Sequence, residues 1–426
     1  MKNIFLLGAG FSYQFGMPLV KDLTEVFYSF FNEQTVPLMI DEISKASPFG
    51  SDRPLNKKAI EKAFNILLDY MAKEPRESNY EKILGDINNL RKSGLNVSDN
   101  DSYSIVYMLL YKIINDILLK YNDLAFSLYL VNKEPYNLFK ELMSKDNETW
   151  VFTLNHDLFF EYLAIDNNIP ITLGDKNKDT LRKDNLSGFN TLINFTYSNT
   201  SDISINNKNY FKNKYGVNLV KLHGGLSEIK LKDDQCIYNL DINVKSSSEL
   251  NKNFNNFKEM NHLDMSGRKT SSLRDWAVTT LDNKLDLATH AMLTGNNKYS
   301  KTLSPKTGEE KIALFYDVLS CSNLLTIVGY GFGDNHINSR ILVALARNDN
   351  LKLKIVSPKQ EVPEFLEVFD ENKRITIIQS DVANWLYYEK MNKWSQHLLD
   401  IDYIKQTDKI RELINIKMQS LFNLKL

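Results

Sequence analysis

Four clusters of glycine and polar residues, each directly after a short apolar run, have the residue types and spacing for chemistry. Glycine allows tight turns and close approach to a ligand, and Asn, Asp and His supply hydrogen bonds and proton transfer. In parallel α/β sheets, ligands bind beyond the carboxyl ends of the strands, so these clusters form the candidate site. They are Gly8-Ala9-Gly10-Phe11-Ser12, Thr153-Leu154-Asn155-His156-Asp157, Lys221-Leu222-His223-Gly224-Gly225 and Gly329-Tyr330-Gly331-Phe332-Gly333-Asp334.

The first cluster has two interpretations. Gly8 and Gly10, followed by Gly16 and a helical pattern from Leu19, suit a phosphate-binding turn at a helix N-terminus. However, the spacing G-x-G-x5-G differs from the dinucleotide fingerprint G-x-G-x-x-G. A plain glycine-rich turn is therefore an open alternative.

The polar residues of the other clusters also have structural alternatives. Asn155 either takes part in chemistry or caps the helix that is predicted from Leu158, because Asn is favoured at N-caps. His223 closes a buried strand and precedes two glycines, which places an imidazole where it can act in catalysis near neutral pH. Asp334 either caps the helix that follows it or accepts a ribose hydroxyl.

Six short apolar runs predict the elements that position these clusters. They lack the alternation of a half-exposed strand, which indicates strands of a buried parallel sheet. Helical patterns between several of them indicate βαβ units. We therefore expect an α/β fold with a Rossmann-like, mostly parallel sheet of about six strands. The runs are Asn3–Leu7, Trp150–Leu154, Leu219–Leu222, Leu324–Val328, Leu351–Val356 and Ile375–Ile378.

The remaining segments predict additions to this sheet. We expect residues 1–385 to form the sheet domain, with residues 20–147 as a large inserted helical subdomain, because apolar residues recur there at three- and four-residue steps. Polar stretches near residues 175–215 and 232–272 predict loop-rich insertions. Residues 386–426 predict a helical tail, suited to packing or oligomerisation.

Composition excludes several classes of protein. The 52 Lys and Arg residues nearly balance the 53 Asp and Glu residues, which argues against a main role in binding nucleic acid or an anionic membrane. Without an uncharged apolar run of about 20 residues or a signal-peptide pattern, we expect a cytoplasmic protein. The two cysteines, Cys236 and Cys321, are too few for a four-cysteine zinc site, so no zinc is expected.

Together these clusters resemble the sirtuin (SIR2) superfamily, and within it the SIR2-like proteins of bacterial anti-phage defence more than the protein deacylases. The first cluster, continued to Pro18, is similar to G-A-G-x-S-x3-G-[IM]-P, and the second to T-x-N-x-D. The third is similar to K-L-H-G, and the fourth, continued to Asn338, to G-Y-S-F-G-D-x-H-I-N. Asn79–Leu84 is similar to the N-[FY]-E-x-[IL]-L element of the SIR2-like branch.

Two departures separate this chain from the deacylases. Leu19-Val20-Lys21 stands where deacylases usually have D-F-R, and the two cysteine pairs of their structural zinc site are missing. The small domain that helps to shape an acyl-lysine groove is therefore expected to be absent or rebuilt, while the NAD site is kept.

The resemblance implies NAD⁺ as the substrate and cleavage of its nicotinamide–ribose bond. Asn155 would position the ribose and the attacking water, and His223 would act as the general base on a ribose hydroxyl or on the water. Asp157 would support the Asn155 loop or the nicotinamide side. The other implied binding residues are Gly8, Ala9, Gly10 and Ser12 for the phosphates, Gly329, Tyr330 and Asp334 for the adenosine half, and Ser357 near the adenine ribose.

The function implied by the resemblance is NAD⁺ hydrolysis to nicotinamide and ADP-ribose, which depletes NAD⁺ during anti-phage defence. The alternatives are a protein deacylase without a zinc module and a non-catalytic sensor that binds NAD or ADP-ribose. Such a hydrolase must be silent in a healthy cell. We therefore expect control by homo-oligomerisation, by a separately encoded partner such as a HerA-type ATPase, or by a phage-derived trigger.

Overall fold

The predicted apolar runs form strands in the computed structural model of the chain. It describes residues 3–45, 54–73, 79–93, 96–143, 145–184, 190–231, 235–258, 275–281, 285–293, 309–359, 361–370, 373–398 and 401–423. The strands, in chain order, are β1 (Asn3–Leu7), β2 (Glu148–Thr153), β3 (Ile171–Thr172), β4 (Asn177–Asp184), β5 (Asn190–Asn199), β6 (Gly216–Lys221), β7 (Glu228–Leu231), β8 (Cys236–Leu240), β9 (Asp275–Thr280), β10 (Leu285–His290), β11 (Leu324–Val328), β12 (Lys352–Ser357) and β13 (Ile375–Gln379).

Thirteen α-helices lie within the described residues, together with four 3₁₀ segments. The α-helices are α1 (Ala9–Ser12), α2 (Val20–Tyr28), α3 (Thr35–Lys45), α4 (Lys57–Met71), α5 (Tyr80–Ser93), α6 (Val97–Asn132), α7 (Phe159–Asp166), α8 (Ser247–Lys258), α9 (Glu310–Ser320), α10 (Asn335–Arg347), α11 (Glu367–Asp370), α12 (Val382–Met391) and α13 (Ile401–Asn423). The 3₁₀ segments are Tyr13–Phe15, Pro135–Leu142, Thr200–Asp202 and Glu364–Leu366.

Seven parallel strands form the central sheet, in the order β13-β12-β11-β1-β2-β6-β3. The six predicted strands are all present, with ends that differ from the predicted ones by at most three residues. The seventh strand, β3, has two residues, and so short a segment carries no periodicity that a sequence pattern could reveal. The predicted α/β fold class is confirmed.

Both faces of the sheet are covered at its central strands β1, β2, β6 and β11, which is why most of their residues are apolar and buried. Along β1, Ile4 and Leu6 belong to one hydrophobic core, whereas Phe5 and Leu7 belong to the other. Helices α9 and α10 pack into the core that contains Ile4. Helices α2, α4 to α7 and α12 pack into the core that contains Phe5.

The direction of the chain changes at β1. From β1 it continues to β2 and β6 on one side, whereas β11 continues to β12 and β13 on the other side. Phe11 of α1 and Ile337 of α10 lie in different cores, so the segments after β1 and β11 pack on opposite faces. Doubly wound sheets bind ligands beyond the carboxyl ends of the strands at such a reversal, which here is the edge at β1 and β11.

The helical region between β1 and β2 is built around α6. This helix packs against α2, α4, α5 and α13. By length and composition alone α6 could cross a membrane, but more than half of its apolar window is buried within the described protein, as in a core helix. The predicted helical C-terminal region is present, and its α13 places Ile414 against Gly16 and Asn415 within hydrogen-bond distance of Tyr121.

The stretches that we predicted to be loop-rich contain strands and a helix, so that prediction is wrong for their described parts. Strands β4, β5 and β7 to β10 close into an antiparallel barrel, in the order β10-β7-β8-β5-β4-β9. Along β5, Ile193 and Phe195 are buried, whereas Leu192 and Asn194 are exposed. The polar residues on the outer face of such strands gave the sequence the composition of a loop. Residues 185–189 of the first stretch, and residues 232–234 and 259–272 of the second, lie outside the described residues.

Candidate functional site

The glycines after β1 hold two backbone segments in close contact. Gly8 N–H donates to the Val328 carbonyl over 2.9 Å, and Gly10 N–H donates to the Gly329 carbonyl over 2.8 Å. A Cβ at Gly8 would lie 2.5 Å from the Cα of Tyr330, and one at Gly10 would lie 2.7 Å from the Cα of Gly329. The packing of the β1 and β11 loops therefore requires these two glycines whether or not a ligand binds.

The helix after this turn differs from the predicted one. Ala9 begins the four-residue helix α1, the 3₁₀ segment follows, and Gly16 then takes a left-handed conformation with a φ of 97°. Helix α2 begins only at Val20. The start of α2 therefore agrees within one residue with the helical pattern predicted from Leu19, but α1 and the 3₁₀ segment lie between it and the glycine turn.

The Asn155 side chain joins the end of β2 to the turn after β1. Its amide nitrogen donates to the Gly8 carbonyl over 3.0 Å and to the Ser12 hydroxyl over 3.2 Å. Asn155 does not cap α7, because that helix begins at Phe159 and the Asp157 carboxylate accepts the Phe159 N–H over 3.0 Å. With both amide protons engaged, Asn155 offers its amide oxygen to a ligand.

A buried network of charges lies beneath Asn155. Lys221, the last residue of β6, contacts Glu161 with an Nζ–Oε1 distance of 2.6 Å and donates to the Asp157 carbonyl over 2.6 Å. Burial raises the pKa of Asp157 to about 6, although Lys221, the Phe159 N–H and the Ser12 hydroxyl act in the opposite direction. Ser12 thus links the Asp157 carboxylate to the Asn155 amide.

His223 lies just beyond β6 and contacts a residue that follows β11. Its Nε2 is 3.0 Å from Oδ2 of Asp334, and both side chains are nearly buried. The ring of His156 is 6.3 Å from the ring of His223 between centroids. Gly224 has a φ of 69°, and a Cβ there would meet the Ala291 carbonyl oxygen at 2.2 Å, so this position requires glycine.

The loop from Gly329 to Asp334 is fixed by Tyr330. The Tyr330 hydroxyl accepts the Asp334 N–H over 3.1 Å and lies 2.9 Å from the Asn338 amide oxygen. Burial, and then the negative charges of Asp334 and Glu81, raise the pKa of Tyr330. Glu81 belongs to the first turn of α5, so the helical region comes close to this loop.

Two glycines of the same loop have a different environment. A Cβ at Gly331 or Gly333 would meet nothing within 4 Å, and neither residue has a positive φ. Packing therefore leaves both positions open to larger residues. Ser357 lies at the end of β12, where its hydroxyl accepts the Lys359 N–H over 3.1 Å.

The structure brings most of the predicted site residues to one edge of the sheet. Side-chain contacts join two groups, backbone contacts between the β1 and β11 loops connect the segments that carry them, and Ser357 lies at the end of the next strand. Sequence reasoning missed the roles of Lys221 and Glu161, although a lysine that closes a buried strand was a usable signal. The first group is Gly8, Ser12, Asn155 and Asp157, and the second is His223, Tyr330 and Asp334.

No protein-family model matches the sequence, and no curated protein matches it. Among solved structures, the chain is similar to Sir2Tm bound to a propionylated peptide, with a TM-score of 0.32, 12% identity, and coverage of 92% of this chain and 93% of that chain. It is also similar to a mutant Sir2 homologue in complex with 2'-O-acetyl ADP ribose, with a TM-score of 0.30, 10% identity, and coverage of 100% and 94%. Similarity at this level carries no conclusion about substrate or activity.

Proposed function

We propose that this chain is an NAD⁺ hydrolase that cleaves the nicotinamide–ribose bond to release nicotinamide and ADP-ribose. The observation that carries the proposal is the Asn155 side chain, whose amide nitrogen is held by the Gly8 carbonyl and the Ser12 hydroxyl. This leaves the amide oxygen for a ribose hydroxyl or a water, at the edge of the sheet that also carries His223.

The reaction needs few groups from the protein. The bond between ribose C1′ and the pyridinium nitrogen breaks with its electron pair going to nitrogen, and nicotinamide leaves as a neutral molecule. A water oxygen adds to C1′, and His223 takes the proton that this water loses. Asn155 orients the water and the ribose. A positioned general base contributes a rate factor of roughly 10²–10⁴.

The edge of the sheet beyond the carboxyl ends of β1 and β11 is the proposed place for the dinucleotide. Gly331 and Gly333 support this, because neither crowding nor a positive φ requires glycine there. A ligand that passes close to the backbone gives both positions a reason to lack a side chain. Gly8, Ala9, Gly10 and Ser12 are the proposed phosphate side, and Ser357 is the proposed adenine-ribose side.

Water as the acceptor is favoured over an acylated lysine. The chain has two cysteines, Cys236 in β8 and Cys321 after α9, and so lacks the two cysteine pairs of the deacylase zinc module. The antiparallel barrel occupies the part of the chain between β3 and β11. We infer that this barrel takes the place of the small domain that shapes an acyl-lysine groove.

The proposed biological role is anti-phage defence by NAD⁺ depletion in the cytoplasm. It is supported by the similarity of Gly329–Asn338 to the SIR2-like motif. We further propose that homo-oligomerisation, a separately encoded partner such as a HerA-type ATPase, or a phage-derived trigger controls the enzyme. Phage challenge of cells that express the wild type or Asn155→Ala tests this role, with intracellular NAD⁺ as the readout. NAD⁺ is expected to fall only with the wild type.

The direct test measures nicotinamide and ADP-ribose released from NAD⁺ by the purified full chain, and NAD⁺ binding by calorimetry. Asn155→Ala and His223→Ala are expected to abolish release, whereas His397→Ala, a change at an exposed histidine remote in sequence from the site, is the matched control. Full activity in both site variants contradicts the assignment. Binding without release identifies a sensor, and NAD⁺ use only with an acetyl-lysine peptide identifies a deacylase.

A further inference from the structure

The two carboxylate oxygens of Asp334 have different partners. Oδ1 caps α10, because it accepts the His336 N–H over 2.8 Å and the Ile337 N–H over 3.3 Å. Oδ2 lies 3.0 Å from Nε2 of His223. The cap holds the carboxylate at the positive end of a 13-residue helix, which favours its charged form. Asp334 is therefore a fixed anion beside an imidazole.

This contact joins segments that are not neighbours in the sheet. β1 and β2 separate β11 from β6, so three strand spacings of about 4.8 Å put the strands on the order of 14 Å apart. The loops that carry Asp334 and His223 must both reach over the ends of β1 and β2 to meet. That region is also where the Asn155 side chain lies. The contact therefore stands beside the proposed reacting atoms.

We propose that Asp334 is the positioning residue of His223, which it holds in a fixed orientation and whose protonated form it stabilises. This inference rests on the proposed function, and it replaces the adenosine-lining role that the resemblance implies for Asp334. In Ser-His-Asp triads a buried carboxylate likewise orients a catalytic imidazole and stabilises its protonated form.

The polar groups close to His223 and Asp334 have contacts of their own. The ring of His156 approaches His223, but its Nδ1 is already 3.0 Å from the Gly224 carbonyl. The Lys221 ammonium faces Glu161 and the Asp157 carbonyl, so its charge is directed into the network under Asn155. Asp334 supplies the carboxylate at contact distance. The titratable groups that contact the pair are His156, Tyr330 and His336, whose N–H binds Asp334. Lys221 and Asp157 belong to the network under Asn155, and the charge of Glu81 acts on Tyr330.

The first test separates a positioning role from an adenosine-binding role. In Asp334→Asn the helix keeps a good N-cap, but His223 loses the negative charge. We expect kcat for nicotinamide release to fall about 10-fold or more while KM for NAD⁺ is unchanged. A raised KM with an unchanged kcat overturns the proposal. The matched control is Asp381→Asn, which makes the same change at the cap of α12, where Asp381 accepts the Asn384 N–H over 2.9 Å.

The second test does not depend on turnover. The imidazole of His223 is titrated by NMR in protein with labelled histidine, and its signal is identified by its loss in His223→Gln. We expect the pKa of His223 to fall by about one unit in Asp334→Asn and in Asp334→Ser, and to be unchanged in Asp381→Asn. An unchanged pKa in a folded Asp334 variant overturns the proposal.

The wild type decides the question if neither Asp334 variant folds. A buried imidazole without an anionic partner titrates below about 6.5, so a wild-type pKa below that value overturns the proposal and one at or above it supports it. The titration also distinguishes a failure of the proposed function from a failure of the proposed pairing. A wild type that binds and cleaves no NAD⁺ refutes the proposed function, whereas the NMR result alone decides the pairing of His223 with Asp334.

Discussion

Replacement of Gly10 by alanine tests whether packing between the β1 and β11 loops explains the first glycine cluster. The added Cβ would lie 2.7 Å from the Cα of Gly329 and 2.9 Å from its carbonyl oxygen. Ordinary contact begins near 3.4 Å, so the two backbone segments must separate by about 0.7 Å. Both sides of the contact are backbone, and no rotamer change can relieve it. We expect a loss of about 2–4 kcal/mol, from overpacking and from weakening of the Gly10–Gly329 hydrogen bond.

Chemical denaturation of Gly10→Ala, followed by tryptophan fluorescence, measures this loss as a shift of the midpoint at constant slope. Gly331→Ala is the matched control in the partner loop, because its Cβ would enter open space. We expect Gly331→Ala to change stability by less than about 1 kcal/mol and to weaken NAD⁺ binding in calorimetry. A midpoint for Gly10→Ala equal to that of the wild type would refute the packing argument.

Three further changes test the buried polar groups. Burial raises the pKa of Asp175 to about 6 from 3.8. Between pH 6 and pH 4 the folded protein therefore binds a proton at Asp175 more readily than the unfolded chain does. At pH 8 the buried charge lowers the free energy of unfolding by about 3 kcal/mol. Asp175→Asn should therefore remove the gain in stability that this group gives as the pH falls from 6 to 4, measured by denaturation at pH 8 and pH 5. Lys221→Met should lower the free energy of unfolding by about 3–5 kcal/mol, because it leaves the Glu161 carboxylate buried without its cation. The double variant Lys221→Met with Glu161→Gln should recover this stability, because it removes the unpaired charge. Ser12→Ala should lower kcat for nicotinamide release, because the Asn155 amide loses one of its two acceptors. The fall in kcat, converted to a free energy, should exceed the loss in the free energy of unfolding measured by denaturation.

The sheet was predictable because its strands are buried on both faces. Continuous apolar runs such as Leu324–Val328 are the direct consequence of that burial, and β11 has the predicted bounds. The barrel was not predictable from the same signal. In β5 the buried Ile193 and Phe195 alternate with the exposed Leu192 and Asn194, so the segment carries no continuous apolar run. Closure of the barrel also depends on the β5–β8, β7–β10 and β4–β9 pairings, whose strands lie far apart in sequence and leave no local pattern.

The position of the candidate residues in the fold was predictable, but their contacts were not. Strand ends of a parallel sheet share one edge, so the sequence alone predicts that Asn155 and His223 lie at the same edge. The partner of His223 could not be identified in this way, because β6 and β11 are three strand spacings apart and only the paths of two loops bring Asp334 across. The sequence also does not reveal why residue 10 must be glycine, because the reason is the close approach of the loop that contains Gly329.

The buried charges under Asn155 are hard to explain by stability alone. Taking Lys221 and Glu161 out of water costs several kcal/mol per ion, and replacing such a pair with apolar residues of similar volume is often neutral or stabilising. Yet Lys221 also binds the Asp157 carbonyl, and the Asp157 carboxylate is linked through Ser12 to the Asn155 amide. An apolar replacement would keep the core and release the loop that carries Asn155. The network therefore fixes the Asn155 side chain at a cost in stability, and this supports the role that we propose for Asn155.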